Sequence, residues 1–192
     1  MEKSNLDIVG GDYLVIDNNG CIVDARLVPK THIQIGVAMA KVVPFAHSSV
    51  MIRKQALDSG DFKYNCYSLV VAEDYEFWTR LYTQGFKFGN VSEWILKFRD
   101  SSTSLNKRVY TKSIKSARKI SNEFVASNID DLILHVGKMN PHKLDKVNQE
   151  SYAYLIYKLV FLNGCLGQLK NLKKITMRNQ IIALLSFVNG LV

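Results

Sequence analysis

Apolar residues in the first hundred positions fall into short alternating runs, the pattern of strands and brief helices. Tyr13-Leu14-Val15-Ile16 and Cys21-Ile22-Val23-Asp24-Ala25-Arg26-Leu27 flank Asp17-Asn18-Asn19-Gly20, and an Asn-Gly pair between two such runs is a strong hairpin signal. Pro29 ends the second run. Thr31 to Lys41 then reads as a short helix with Ile35, Ala38 and Met39 on one side, closed by Pro44. His47 to Arg53 reads as a strand leading into a short helix through Leu57, and the polar stretch 58–68 reads as a loop. Glu73 to Gln84 has acidic residues in its first turn and Tyr75, Trp78, Leu81 and Tyr82 on one face, with Gly85 placed to end it. These are the marks of an amphipathic helix with a glycine C-cap. Phe86-Lys87-Phe88 and Trp94-Ile95-Leu96-Lys97-Phe98 read as two further strands.

The period changes near residue 105. Tyr110, Ile114, Ala117 and Phe124 recur at helical spacing, with Lys112, Lys115 and Lys119 facing away, so a surface helix is expected there. Pro141 marks a break. Tyr152, Leu155, Ile156, Leu159 and Leu162 form a second apolar stripe, and a last helix is expected over 172–188. The predicted organisation is an α/β unit over 1–104 followed by an α-helical extension over 105–192.

Charge sharpens that boundary. Residues 1–102 hold 11 Lys and Arg against 12 Asp and Glu, whereas 103–192 hold 14 against 5. A neutral front and a strongly basic rear point to an anionic partner for the rear. Lys170, Lys173, Lys174 and Arg178 directly precede the apolar run from Ile181, as in helices that lie on anionic bilayers. The alternative is that Lys112, Lys115 and Lys119 are only a solvated helix face. No nucleic-acid-binding motif accompanies the charge, so a nucleic-acid partner is not expected. The longest apolar stretch falls short of the ~20 residues of a spanning helix. Three scattered cysteines, Cys21, Cys66 and Cys165, fit neither a disulfide framework nor a zinc site and imply reduced thiols in the cytoplasm.

Three stretches carry a family resemblance. They are Pro44-Phe45-Ala46-His47-Ser48-Ser49-Val50-Met51-Ile52-Arg53-Lys54, then Ala72-Glu73-Asp74-Tyr75-Glu76-Phe77-Trp78-Thr79-Arg80-Leu81 with Gly85-Phe86-Lys87-Phe88, then Trp94-Ile95-Leu96-Lys97-Phe98-Arg99. In that order they resemble the acceptor-side, carboxyl-terminal half of family 2 glycosyltransferases of GT-A fold, especially bacterial enzymes of surface-polysaccharide synthesis. Asp7-Ile8-Val9-Gly10 and Asp17 with Gly20 resemble the strand that follows the family's metal-binding carboxylates, so the likeness spans roughly 1–106. The chain also departs from the pattern. No two aspartates are two residues apart, so the Asp-any-Asp motif that holds manganese or magnesium on the nucleotide diphosphate has no counterpart. Ser101 stands where the family often has a histidine.

The resemblance implies transfer of a sugar from a nucleotide sugar to a glycan or lipid-linked acceptor, with a divalent metal in the complete enzyme and none held tightly by this chain. It implies an acceptor-side half that is inactive alone, at the inner face of the cytoplasmic membrane. A homo-oligomer or a complementing chain is the corresponding protein partner, and a non-catalytic acceptor-binding module is the alternative function. By resemblance Asp74 is the base that deprotonates the acceptor hydroxyl, with Glu73 beside it. A carboxylate in a helix's first turn next to another carboxylate suits that role, since the neighbour opposes ionisation. Glu73, Asp74 and Glu76 are equally good plain first-turn residues. Trp78 is either a wall for the acceptor sugar or a core residue. Arg99 either faces the diphosphate, which a guanidinium binds bidentately, or pairs with Glu93 or Asp100. His47 and Ser48 either line the acceptor cleft or are structural.

Overall fold

The hairpin predicted around Asn19-Gly20 is present. Strands β1 (Ile8–Ile16) and β2 (Ile22–Arg26) run antiparallel, with Tyr13 opposite Arg26 and Val15 opposite Asp24. The turn satisfies its own backbone: Asp17 Oδ1 accepts from the N–H groups of Asn19 and Cys21, each at 2.9 Å. Gly20 supplies the φ of 87° that the reversal needs. The computed structural model describes residues 5–59, 72–100 and 110–159, and these form a mixed α/β structure.

β1 is the spine of the sheet. β4 (Phe88–Arg99) runs parallel to it along its whole length, from Ile8 opposite Phe88 to Ile16 opposite Arg99. The other edge of β1 is shared, by β3 (Met51–Ile52) at its start and by β2 at its end, both antiparallel. Two strands were expected over 86–88 and 94–98, and the chain makes one. Register shifts opposite Gly11, Asp12 and Tyr13 absorb extra residues of β4 on either side of Trp94. Such bulges let a strand continue through the polar Ser92-Glu93 pair that reads as a break.

Helix α1 (His32–Met39) begins in a capping box, in which Thr31 accepts from the Gln34 N–H and the Gln34 side chain accepts from the Thr31 N–H. A 3-10 turn (His47–Ser49) and α2 (Lys54–Ser59) flank β3. The expected strand over 47–53 is thus mostly turn. Helix α3 (Glu73–Thr83) follows and is ended by Gly85 at φ 91°. Beyond it lie α4 (Tyr110–Ser127), α5 (Ile129–Lys138), a 3-10 turn at Pro141–Lys143, and α6 (Lys146–Tyr157), capped by the Asp145 carboxylate. The loop expected over 58–68 lies outside the described residues beyond its first two positions. So do Leu162 and the helix expected over 172–188.

One apolar core joins the sheet and the helices. Ile8, Ile35, Met39, Phe45, Phe77, Trp78, Leu81 and Phe88 share it with Phe124, Val125, Leu132, Val136, Tyr152 and Leu155. The helices beyond residue 110 therefore complete the core of the front half, although the charge changes sharply near residue 104. Each fully buried side chain of this size contributes about 1.5–3 kcal/mol. Tyr82 presses so closely on α1 that a Cβ on Gly36 would sit 2.2 Å from its hydroxyl, which only glycine permits. The expected α4 stripe is only partly buried: Phe124 is buried as expected, but Ile114 is 43% exposed, and Ile120, Ser121 and Val125 are buried as well. That inward face holds a polar residue whose partners are supplied by tertiary contacts: the Ser121 hydroxyl donates to the Ala40 carbonyl and accepts from Lys158. An apolar period alone does not reveal such a face.

Candidate functional site

The amino-terminal end of α3 and the 3-10 turn before β3 come together at one edge of the core. Two buried side chains hold α3 in place, and a half-buried ion pair stiffens it. The Tyr75 hydroxyl donates to the Met39 carbonyl of α1. Trp78 is 1% exposed and packs edge-on against Phe45 (5.0 Å) and Phe77 (4.7 Å). Arg80 Nε donates to Glu76 Oε1 at 2.9 Å, closing an ion pair along the helix. The helix is entered through Ala72 in the left-handed region, φ 73° and ψ 32°, a conformation that costs a non-glycine residue on the order of 1 kcal/mol or more.

Asp74 and Glu73 sit on this fixed end. Glu73 is exposed and Asp74 half-buried. Burial pushes the Asp74 carboxyl above the usual carboxylate range, and the neighbouring Glu73 charge adds to the rise. The Tyr75 N–H, which donates to Asp74 Oδ1 at 2.7 Å, and the His47 charge hold it down. A raised pKa makes the ionised carboxylate a better proton acceptor than a free one, and desolvation plus a specific charge partner is the pattern of acid-base sites.

The structure brings four of the six predicted residues together. His47 stacks at a tilt on Trp78, ring centroids 5.4 Å apart, and lies close enough for its charge to act on Asp74. Ser48 is exposed beside it on the same turn. Trp78 is core, with its indole N–H buried and without an acceptor among the described residues. It underlies the face and is not a wall open to solvent. Arg99 is elsewhere, at the far end of β4. The strand from Phe88 is twelve residues long, on the order of 35 Å extended. There its guanidinium donates to the carbonyls of Asp17 (2.7 Å) and Asn18 (3.0 Å), clamping the β1–β2 turn.

Sequence reasoning missed two polar clusters. Asp12, 2% exposed, accepts from the Val28 N–H at 2.8 Å and pairs with the Lys30 ammonium, which also donates to the Val91 carbonyl. At the C-terminal end of α6, buried Lys158 donates to Ser121 and to Asn122 Oδ1 (2.8 Å). Neither pairing is visible in local spacing, since the partners are 18 and 36 to 37 residues apart. On the α3 face Glu76 Oε1 accepts from Arg80 and Asp74 Oδ1 from a backbone N–H. Among the described residues no group of three His, Cys, Asp or Glu side chains is placed to hold a metal. Nor is any described helix long and apolar enough to cross a membrane.

Comparison with known proteins relates the chain to a glycosyltransferase. Over 110 residues it is 32% identical to the protein named "Putative glycosyltransferase EpsE" of Bacillus subtilis (strain 168). The match covers 57% of this chain and 38% of that protein, so the chain spans well under half the length of its relative. No family model matches the chain. No solved structure matches it.

Proposed function

We propose that this chain forms the acceptor-side half of a family 2, GT-A-type glycosyltransferase, with Asp74 as the general base. The observation that carries the reading is the half-buried Asp74 carboxylate, raised in pKa and fixed at the start of α3 beside His47, in a chain related to a glycosyltransferase. In transfer with inversion, the acceptor hydroxyl attacks the sugar carbon as the nucleotide diphosphate leaves. Its proton passes to Asp74 while Glu73 tunes that carboxylate, and the His47–Ser48 turn borders the acceptor. The donor is a nucleotide sugar, and its diphosphate and metal belong to a nucleotide-binding half outside this chain. Residues 103–192, through exposed Lys115, Arg118 and Lys119 on α4 and the basic residues beyond 160, hold the protein against the anionic inner face of the cytoplasmic membrane, near a glycan or lipid-linked acceptor.

The test is sugar transfer by the chain complemented with a nucleotide-sugar-binding half. Asp74→Asn keeps the shape of the side chain but not its proton affinity, and is expected to lower kcat by about 10²–10⁴-fold. Glu73→Gln is expected to cost less. Near-normal turnover by a folded Asp74→Asn protein removes the assignment. Titration of the chain alone with UDP-, GDP- and dTDP-sugars plus manganese or magnesium is expected to show weak binding at most. Micromolar, metal-dependent binding would overturn the half-domain reading.

A further inference from the structure

The outer edge of β2 is a self-complementary strand. β2 pairs with β1 on one side, and among the described residues no strand pairs with the other. All five of its residues are exposed. Ile22 and Val23 are each 59% exposed, and Leu27, just past its end, is 55% exposed. Natural sheet edges are normally blunted by lysine, proline or a covering segment, because an open row of N–H and C=O groups invites another strand. Between Ile22 and Leu27 there is no lysine or proline, and the two charges on the edge, Asp24 and Arg26, are of opposite sign, so they do not repel a second copy.

The direction of the backbone groups follows from one hydrogen bond. In an antiparallel ladder successive residues point their N–H and C=O groups alternately toward and away from the partner strand. The Ala25 N–H donates to the Asp24 carboxylate at 2.8 Å, not to β1. Ala25 therefore faces outward, and by alternation so does Leu27, while Asp24 and Arg26 face inward to Val15 and Tyr13; the register shift opposite Val15 and Ile16 leaves Val23 unpaired at a bulge.

We propose that this edge pairs with β2 of a second copy of the chain, antiparallel, about a twofold axis at Ala25. The sequence Ile22-Val23-Asp24-Ala25-Arg26-Leu27 fits that operator. Reversing it about Ala25 sets Asp24 opposite Arg26 of the other copy, twice, and Val23 opposite Leu27 of the other copy, twice. Both charges already lie on one face, paired within the strand at 2.8 Å. On association the Ala25 N–H exchanges the Asp24 carboxylate for the Ala25 carbonyl of the other copy. The freed carboxylates then meet arginines across the axis. A twofold contact of this kind is closed, so it yields a dimer and not a fibre. Pairing over five residues, 23–27, lies at the small end of specific interfaces, so the association is weak, on the order of micromolar.

Sedimentation velocity on the full chain, from about 1 to 300 μM, reads this directly. The wild type is expected to move from monomer to dimer across that range. Asp24→Arg alone and Arg26→Asp alone set like charges opposite one another and are expected to weaken dimerisation at least about tenfold. The double swap D24R/R26D restores opposite charges and is expected to restore the dimer. A second reading does not depend on those variants. With Cys21, Cys66 and Cys165 replaced by serine, Ala25→Cys is expected to form a disulfide-linked dimer under mild oxidation. Residues opposite each other in a hydrogen-bonded pair lie about 5.5 Å apart at Cα, within disulfide reach. A wild type that stays monomeric to the top of the range overturns the proposal. So does a dimer indifferent to the single reversals, one the double swap fails to restore, or an Ala25→Cys protein that does not cross-link.

Discussion

His47 lies on Trp78 with ring centroids 5.4 Å apart, seating an exposed turn on a side chain that is itself 1% exposed. The contact joins the two parts of the candidate site through the core. α3 cannot shift without moving the indole, and the indole carries the turn. The face that presents Asp74 is therefore as rigid as the aromatic packing of Phe45, Phe77 and Phe88 around Trp78.

Trp78→Ala is accordingly expected to cost about 3–5 kcal/mol of stability, read as a lower urea midpoint. Trp78→Phe retains the ring contacts and gives up an N–H that has no acceptor among the described residues, so it is expected to lose less than half as much. An alanine variant within about 1 kcal/mol of wild type would show that the site is not supported from below.

Stability is expected to fall in acid through His32. Its ring stacks on Tyr82 (4.5 Å), and Nδ1 accepts the Phe88 N–H, which requires the neutral form. Burial above all, with the Lys87 and His135 charges, lowers its pKa to about 4 against the opposing Asp131 charge. The folded state thus binds this proton less readily than the unfolded chain. The stabilisation is complete above pH 6.5 and is lost as the pH falls toward about 4. The whole shift would be worth about 3 kcal/mol, and solvent access to the ring reduces the expected effect to about 1 kcal/mol. Denaturant midpoints for wild type and His32→Gln at both ends of that window test it. The acid loss should be smaller in the variant, and equal losses would assign it to other groups.

Local signals made much of the front half legible. The Asn19-Gly20 turn, the acidic start of α3 and the glycine that ends it each act within a few residues. Failures arose where distant contacts decide. α5 was not separated from its neighbours, because its buried side is only Leu132 and Val136 and its Asn128 cap makes no side-chain cap bond. Within the site, Asp74 and His47 meet through packing around Trp78. The carbonyls that Arg99 binds lie more than 80 residues earlier in the chain, beyond the reach of local spacing.

The proposed membrane attachment through residues 103–192 predicts electrostatic binding to anionic bilayers. Each exposed basic residue near an anionic bilayer contributes about 1 kcal/mol. The chain should co-sediment with vesicles containing phosphatidylserine or phosphatidylglycerol and be released by salt, since screening shortens the attraction. Equal recovery in the supernatant with anionic and with neutral vesicles would leave the basic faces as solvated surface.

The Asp12–Lys30 pair should respond asymmetrically to loss of its members. The Asp12 side chain is 2% exposed and Lys30 is 32% exposed, so the ammonium can turn to water while the carboxylate cannot. Lys30→Met strands a buried charge that retains only the Val28 N–H, and is expected to cost about 3–5 kcal/mol. Asp12→Asn keeps an acceptor for that N–H and frees the lysine, and is expected to cost about 1–2 kcal/mol. The double variant Asp12→Asn, Lys30→Met leaves no unpaired charge and should be more stable than Lys30→Met alone. Such non-additivity is the signature of a direct pair. Urea unfolding of the three variants measures it. A double variant no better than Lys30→Met would mean that Lys30 acts chiefly through its bond to the Val91 carbonyl, tying the segment before α1 to the bulged stretch of β4.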